Sequence, residues 1–388
     1  MKRALGAALA LVAAVPWAAP ARAQDSVFGI RGLGFVDQSV AARSAGLGGG
    51  NAVFDGESAL NPAAIGAWSG SVGWALGSSS DRSFDAGTGP ASLRSTRFPL
   101  FGFATQVSPR LVVAVTASDF LDRNWTVVQT DTVTPRDSAL VVSDKTRSLG
   151  GVSDLRVAMA YRRQGIALGL GLHLLAGSAT TVVTRTFTSD TLAYLPFTLQ
   201  SVTSFTGVGV SLGVVAAPAS TVTAAASVRV SGRLRAEAPD TTVDVPMPVE
   251  VNAGVSVQPV GGLVLATTVG YASWSRSSAA LVAAGQQGAR DAWSVGAGAD
   301  LALLKVGRAL VPVRIGYRWR QLPFPIPDST GVGPILAPLS ERALSLGFGF
   351  TAAGGRATVD AAFEWGSRTA GGLRESFATT LVGLTVRP

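Results

Sequence analysis

The sequence predicts an all-β protein: a transmembrane antiparallel β-barrel of about 14 strands with an N-terminal segment folded into its lumen. Three observations carry that expectation. The chain is rich in apolar residues yet holds no helix-length apolar run after its first residues, its large apolar residues alternate with small ones from end to end, and its connections alternate between short and long.

Hydrophobic residues make up 47% of the 388-residue chain and charged residues 14%, against roughly 25% charged in ordinary soluble domains. Beyond residue 23 nothing approaches the ~18 consecutive apolar residues that a spanning helix requires. In hydrocarbon every backbone N–H and C=O must find a partner within the protein, so a membrane chain without such helices closes its strands into a barrel.

The first residues set the compartment. Lys2 and Arg3 precede an apolar run from Ala4 to Val15, Pro16 and Pro20 break it, and Ala21-Arg22-Ala23 is a small-x-small cleavage pattern. This layout predicts a cleaved signal peptide over 1–23, a mature start at Gln24, and location in a bacterial outer membrane. There is no Cys and one His, His173. Thiolate chemistry, Cys-based zinc sites and multi-His metal sites are therefore excluded, and neither metal nor cofactor is expected. The net charge of +8 is scattered, with no Lys/Arg run or aromatic-interleaved patch, so no nucleic-acid partner is expected.

Alternation recurs along the chain. Ile166, Leu168, Leu170, Leu172 and Leu174 are separated by Ala167, Gly169, Gly171 and His173. Val313, Ile315, Tyr317 and Trp319 alternate with Arg314, Gly316, Arg318 and Arg320; Leu344, Leu346, Phe348 and Phe350 with Ser345, Gly347 and Gly349; Val359, Ala361, Phe363 and Trp365 with Thr358, Asp360 and Glu364. Side chains of a strand point to opposite faces with period two. A soluble sandwich would carry many Lys, Glu and Thr on its wet face. Here the second face is mostly Gly, Ala and Ser, which suits a barrel interior.

Such segments fall near 68–77, 98–107, 110–120, 152–163, 165–176, 201–216, 221–235, 247–258, 262–274, 291–304, 310–320, 341–352, 356–366 and 374–386, an even number of strands. Tight turns at Ser108-Pro109, Gln164-Gly165, Pro218 to Ser220, Pro259 to Gly261, Lys305 to Ala309 and Ala353 to Gly355 alternate with longer links at 78–97, 121–151, 177–200, 236–246, 275–290, 321–340 and 367–373. Short periplasmic turns and long extracellular loops are the known asymmetry of such barrels. Trp68, Trp74, Trp125, Trp274, Trp293, Trp319 and Trp365 lie near strand ends, where aromatic girdles or a core would place them.

Residues 24–67 do not alternate. Gly48-Gly49-Gly50 has no preceding strand and no GK[ST], so it is not a phosphate loop; it predicts a sharply turning segment packed inside something. Asn61-Pro62 reads as a turn in which the Asn side chain bonds local backbone amides.

A glycine-rich N-terminal stretch, an acidic residue, and Asn61-Pro62-Ala63 just ahead of the first strand resemble the FadL family of outer-membrane transporters. The segment from Arg314 to Arg318, then Leu344 to Gly349 and Leu373 to Ser376, is similar to the closing strands of that family. The resemblance implies a 14-stranded barrel over 68–388 and a hatch over 24–67 plugging the lumen, with Asn61, Pro62 and Ala63 as the hatch motif. It also implies passive uptake of long-chain fatty acids or hydrocarbons, with a sideways exit through the wall. Implied surroundings are outer-membrane lipid and lipopolysaccharide, barrel-assembly machinery during insertion, and periplasmic or secretion partners. One departure is that the chain ends Thr385-Val386-Arg387-Pro388, without the terminal aromatic residue of many such barrels.

His173 falls on the small-residue face, as a ligand contact or as a hydrogen-bonded lumen histidine. Arg314, Arg318, Asp360 and Glu364 also point inward, as do Arg156, Arg162, Asp300 and Arg320; they either hold a carboxylate head group or form a bracing network. Leu322, Phe324 and Ile326 lie in a loop where they either capture an apolar substrate or fold over the mouth. A non-transporting barrel serving secretion, assembly or structure is the alternative function. A hydrolytic barrel would have to use His173 as its base, and no enzyme is expected.

Overall fold

A row of Leu and Phe side chains with Gly and Ser between them leaves a strand one greasy face and one thin face. In the computed structural model, which describes residues 27–37, 40–85, 90–134, 140–188, 195–306, 309–326, 339–371 and 373–388, the greasy faces all turn outward. Leu168, Leu172 and Leu344 are each more than half exposed, whereas their small-residue neighbours face inward. Rows of this kind would cost about 1.5–3 kcal/mol per side chain in water and cost nothing in hydrocarbon. The signal peptide expected over 1–23 lies outside the described residues.

The strands are β1 (Phe35–Val36), β2 (Ser71–Asp85), β3 (Pro90–Ser108), β4 (Leu111–Asp122), β5 (Trp125–Val133), β6 (Leu140–Arg163), β7 (Ile166–Thr188), β8 (Phe197–Ala219) and β9 (Val222–Ser231). They continue with β10 (Arg233–Ala238), β11 (Thr241–Pro246), β12 (Val249–Val260), β13 (Leu263–Ala272), β14 (Ala292–Val306), β15 (Ala309–Gln321), β16 (Ser340–Ala352), β17 (Ala357–Ala370) and β18 (Leu373–Val386). Fourteen of them form an antiparallel wall in chain order, and β18 pairs with β2 from Val386↔Gly73 to Arg374↔Asp85 to close it. The others extend or line that wall: β5, β10 and β11 prolong β4, β9 and β12 past short breaks, and β1 lies at the β4 edge. The β4–β5 break is local chemistry: the Asp122 carboxylate accepts the Asn124 backbone and side-chain amides, and the Asn124 carbonyl accepts Gly150 N–H.

The wall stands taller than the apolar pattern implies. Much of 78–97, 121–151 and 177–200, expected as loops, is strand: β2 and β3 run to 15 and 19 residues, β5 adds 125–133, and β6, β7 and β8 run to 24, 23 and 23. About 9–11 residues suffice to cross a bilayer. The extra length is built from β-branched residues such as Thr180-Thr181-Val182-Val183-Thr184, which favour strand but carry no apolar face. The tryptophans divide as well. Trp293 and Trp365 are about half exposed on the outer surface, while Trp74 and Trp274 are buried and Trp68 stacks on Trp74 at 6.3 Å.

Candidate functional site

Residues 40–67 fill the middle of the barrel. A short helix, Ala42–Gly46, packs on β15 to β18, and a 3-10 turn, Pro62–Ala67, packs on β4 and β6 to β8 across the lumen. The glycines explain how backbone fits against backbone. A Cβ on Gly316 would lie 2.1 Å from Gly48 N, and one on Gly213 would lie 1.9 Å from Asn61 Oδ1. Gly48 and Gly49 themselves turn through positive φ, as the sharply turning segment requires.

Asn61, Pro62 and Ala63 are brought together at the wall. Asn61 is fully buried; its Oδ1 accepts Ala63 N–H at 2.9 Å, and its amide donates to Val53 O at 2.9 Å and Val214 O at 3.2 Å. It thus caps the turn that Pro62 begins and ties it to β8. Further bonds hold the segment to the wall: Thr268 Oγ1 to Gly50 O at 2.8 Å, Arg156 Nη1 to Ala59 O at 2.8 Å, Ser345 Oγ to Gly46 O at 3.2 Å. Thr385 Oγ1 donates to Glu57 Oε1 at 2.7 Å. Burial, and then the Asp55 charge beside it, push the Glu57 carboxyl up to about 8.

His173 sits in a buried chain of polar groups. Its Nδ1 lies 2.9 Å from Asp154 Oδ2, its Nε2 lies 2.8 Å from Ser211 Oγ, and Arg229 Nη1 lies 3.0 Å from the same Asp154 oxygen. Asp, His and Ser in that order have the connectivity of a hydrolytic triad. Ser211 is buried against Gly171, and the neighbouring backbone amides belong to the β7–β8 ladder, so no pair of backbone amides is aimed at an oxyanion beside it. The chain is a bracing network.

Of the arginines expected in the lumen, Arg314, Arg318 and Arg320 are paired with carboxylates, whereas Arg156 and Arg162 donate to backbone carbonyls of the inner segment. Arg314 bonds Asp300 at 3.1 Å and Asp360 at 2.5 Å; Arg318 bonds Glu364 at 2.9 Å and Glu341 at 3.2 Å. Glu341, on β16, also takes Arg320 and Arg368 at 2.9 and 2.7 Å. With their carboxylate partners in place, Arg314 and Arg318 tie β14, β15, β16 and β17 together across the inner face. Leu322, Phe324 and Ile326 fold inward: Phe324 meets Trp274 edge-on at 5.1 Å, and Leu322 and Ile326 pack with Phe28 and Leu339. Pro327 and the apolar pair Ile335-Leu336 of that loop lie outside the described residues.

The wall has one discontinuity that alternation alone does not reveal. Pairing of β3 with β4 stops at Leu100↔Ser118, and Pro99, which has no N–H to give, follows on β3. Beyond that point β3 pairs with β2 alone and β5 with β6 alone. β1 reaches the β4 edge from inside, with Phe35↔Asp122 and Val36↔Leu121 in register and Asp37 N–H donating to Phe120 O at 3.0 Å. Phe35 is clamped by Arg320 and Arg368, whose guanidinium carbons lie 4.9 and 4.3 Å from the ring centre. Two cavities of about 110 and 100 Å³ flank β1, one beside Leu60, Phe120 and His173, the other beside Arg97, Pro99 and Leu381; Asp37 lines both.

No family model and no curated protein matches the chain. Among solved structures it is similar to a FadL homologue of Pseudomonas aeruginosa, with a TM-score of 0.60 at 12% identity over 91% of this chain and 99% of that one. It is similar to CymD, a monoaromatic hydrocarbon channel, with a TM-score of 0.57 at 14% identity over 90% and 98% of the two chains. The Ralstonia pickettii toluene transporter TbuX superposes with a TM-score of 0.56 at 15% identity over 90% and 98%. Strand number, closure and superposition over nine-tenths of the chain together give this chain a FadL-like fold.

Proposed function

We propose that the chain is an outer-membrane channel for passive uptake of small hydrophobic molecules, with residues 24–67 as a hatch anchored by Asn61, Pro62 and Ala63. One observation carries the reading. The axis of the barrel is filled by residues 40–67, while the wall is unzipped between β3 and β4–β5. A solute leaving there passes into hydrocarbon, a direction that favours an apolar molecule by about 25 cal/mol per Å² of apolar surface and opposes a polar one. The descriptions of CymD and TbuX as hydrocarbon and toluene carriers support the same class of cargo. Lipopolysaccharide surrounds the outer belt in this reading, and barrel-assembly machinery inserts it.

The test is uptake of labelled toluene and of a labelled long-chain fatty acid by intact lipopolysaccharide-bearing cells that lack channels of their own. Expression of the chain raises the rate for one of these severalfold and leaves a sugar of similar size unchanged. Folded protein in the membrane with no gain for either apolar probe overturns the proposal.

A further inference from the structure

The short turns of the barrel carry charge of one sign. Within three residues of the six tight turns the sequence has no Asp or Glu, whereas Arg110, Arg162, Arg163, Lys305, Arg308 and Arg356 lie there and Arg387 ends the last strand beside them. At the opposite end acidic residues accompany the arginines, and two pairs form: Arg94 with Asp81 at 2.7 Å and Arg185 with Asp144 at 2.6 Å. Among the described residues, Arg110, Arg162, Arg163, Arg356 and Arg387 make no ion pair.

Register sharpens this into a built feature. Arg162 N–H donates to Arg110 O at 2.8 Å, and Arg387 N–H donates to Arg356 O at 2.7 Å, which continue the β4–β6 and β17–β18 ladders by one residue each. Two arginines thus stand directly opposite each other twice, an arrangement that costs stability unless an anion lies between. Both pairs face the mouth and not the lipid. Arg162 donates to Gly66 O and Trp68 O at 3.0 and 3.1 Å, inside the barrel, and Arg387 lies over the Trp68 ring at 5.3 Å. Residues directly opposite share a face, so Arg110 and Arg356 take the same side. Two hatch carboxylates lie near this end without pairing to these arginines: Asp55 accepts from Ser44 and Ser58, and Glu57 accepts from Thr385, two residues before Arg387.

The arc runs over β17, β18, β2, β3, β4 and β6, roughly 24 Å at the usual strand spacing. That is too broad for a single carboxylate or phosphate. At one end of the arc opens a cavity of about 550 Å³, floored by Phe54, Ala63 and Gly66 and edged by Arg110, Arg162 and Arg163.

We propose that this arc docks a soluble protein of acidic surface, which seats over the mouth and inserts a side chain into the Phe54–Ala63 cavity. Lipid headgroups are the weaker fit, because of the five described arginines only Arg163 lies on the outward face of its strand. The proposal concerns the periplasmic end and stands whatever the cargo.

The probe is a fluorescent ten-residue polyglutamate peptide, with polylysine as control, on the mature barrel in zwitterionic nanodiscs. The Arg110→Gln/Arg356→Gln variant removes charge and leaves Arg162 and Arg387 on the hatch; its melting temperature confirms that it is folded. Wild type binds polyglutamate and not polylysine, the affinity falls with salt, and the variant binds about tenfold more weakly. Equal binding by the variant, or none by wild type at low salt, overturns the proposal. So does a variant whose sole change is loss of co-purified anionic phospholipid, because the arginines then serve headgroups.

Discussion

Arg97 of β3 reaches Asp122 of β4 with Nη1 2.5 Å from Oδ2, across the stretch where these neighbouring strands have ceased to hydrogen-bond. An ion pair does there what the ladder does elsewhere, and an ion pair opens without breaking a row of backbone bonds. Asp122 is buried, so its charge needs that partner. Replacing Arg97 with Ala is expected to lower stability by about 1–3 kcal/mol and to speed uptake of a small apolar solute. Paired melting and uptake measurements check this; a slower variant contradicts it.

Glycine at the hatch seat is a packing requirement. Gly316→Ala sets a methyl 2.1 Å from Gly48 N and Leu47 C, with backbone on both sides and no flexible atom to move. The wall keeps its ladder, so the hatch must lift. Limited proteolysis is expected to cut within 40–67 at least tenfold faster in this variant. Gly73→Ala, whose new methyl meets its nearest neighbour at 4.0 Å, leaves the rate unchanged.

Hatch docking depends on pH through Glu57. Its carboxyl is raised from 4.5 to about 8, by burial first and then by Asp55. A raised carboxyl pKa means that the docked hatch holds the proton more tightly than the free segment does. Its contribution is complete below about pH 4.5, shrinks as pH climbs, and is gone once pH passes about 8. Proteolytic release of the hatch therefore accelerates from pH 5 to pH 9, and Glu57→Gln flattens that profile. An unchanged profile in the variant places the titration elsewhere.

Asn61→Ala deletes a cap and leaves Val53 O and Val214 O without their donor. A loss of about 1–3 kcal/mol follows, read as a lower melting temperature of the hatch-docked state. Asn61→Asp keeps the acceptor toward Ala63 N–H but loses both donations, so it restores part of that loss at most.

Period-two patterning made the wall legible: all 14 barrel strands lie where Leu, Val and Phe alternate with Gly, Ala and Ser, and Gly48 to Gly50 did mark a segment packed inside. The polar extensions of β6 to β8 escaped because Thr-rich strand above the bilayer has no apolar face to count. Inward parity placed His173, Arg314 and Arg318 in the lumen, but their partners were hidden. Asp154, Ser211 and Glu341 meet them through cross-strand register, which a single strand's alternation does not fix. The side gap was equally silent, since Pro99 reads as one residue among twenty prolines until the strand beside it is known.

The most direct measurement locks β1 to the wall. Val36 and Leu121 face each other in a non-hydrogen-bonded antiparallel pair, whose Cα separation of about 4.5 Å suits a disulfide, and the chain has no other cysteine to interfere. In cells carrying Val36→Cys/Leu121→Cys, oxidation is expected to stop uptake of labelled toluene and reduction to restore it, with the barrel folded throughout. Uptake that continues at the same rate in the fully oxidised protein contradicts a sideways route past β1.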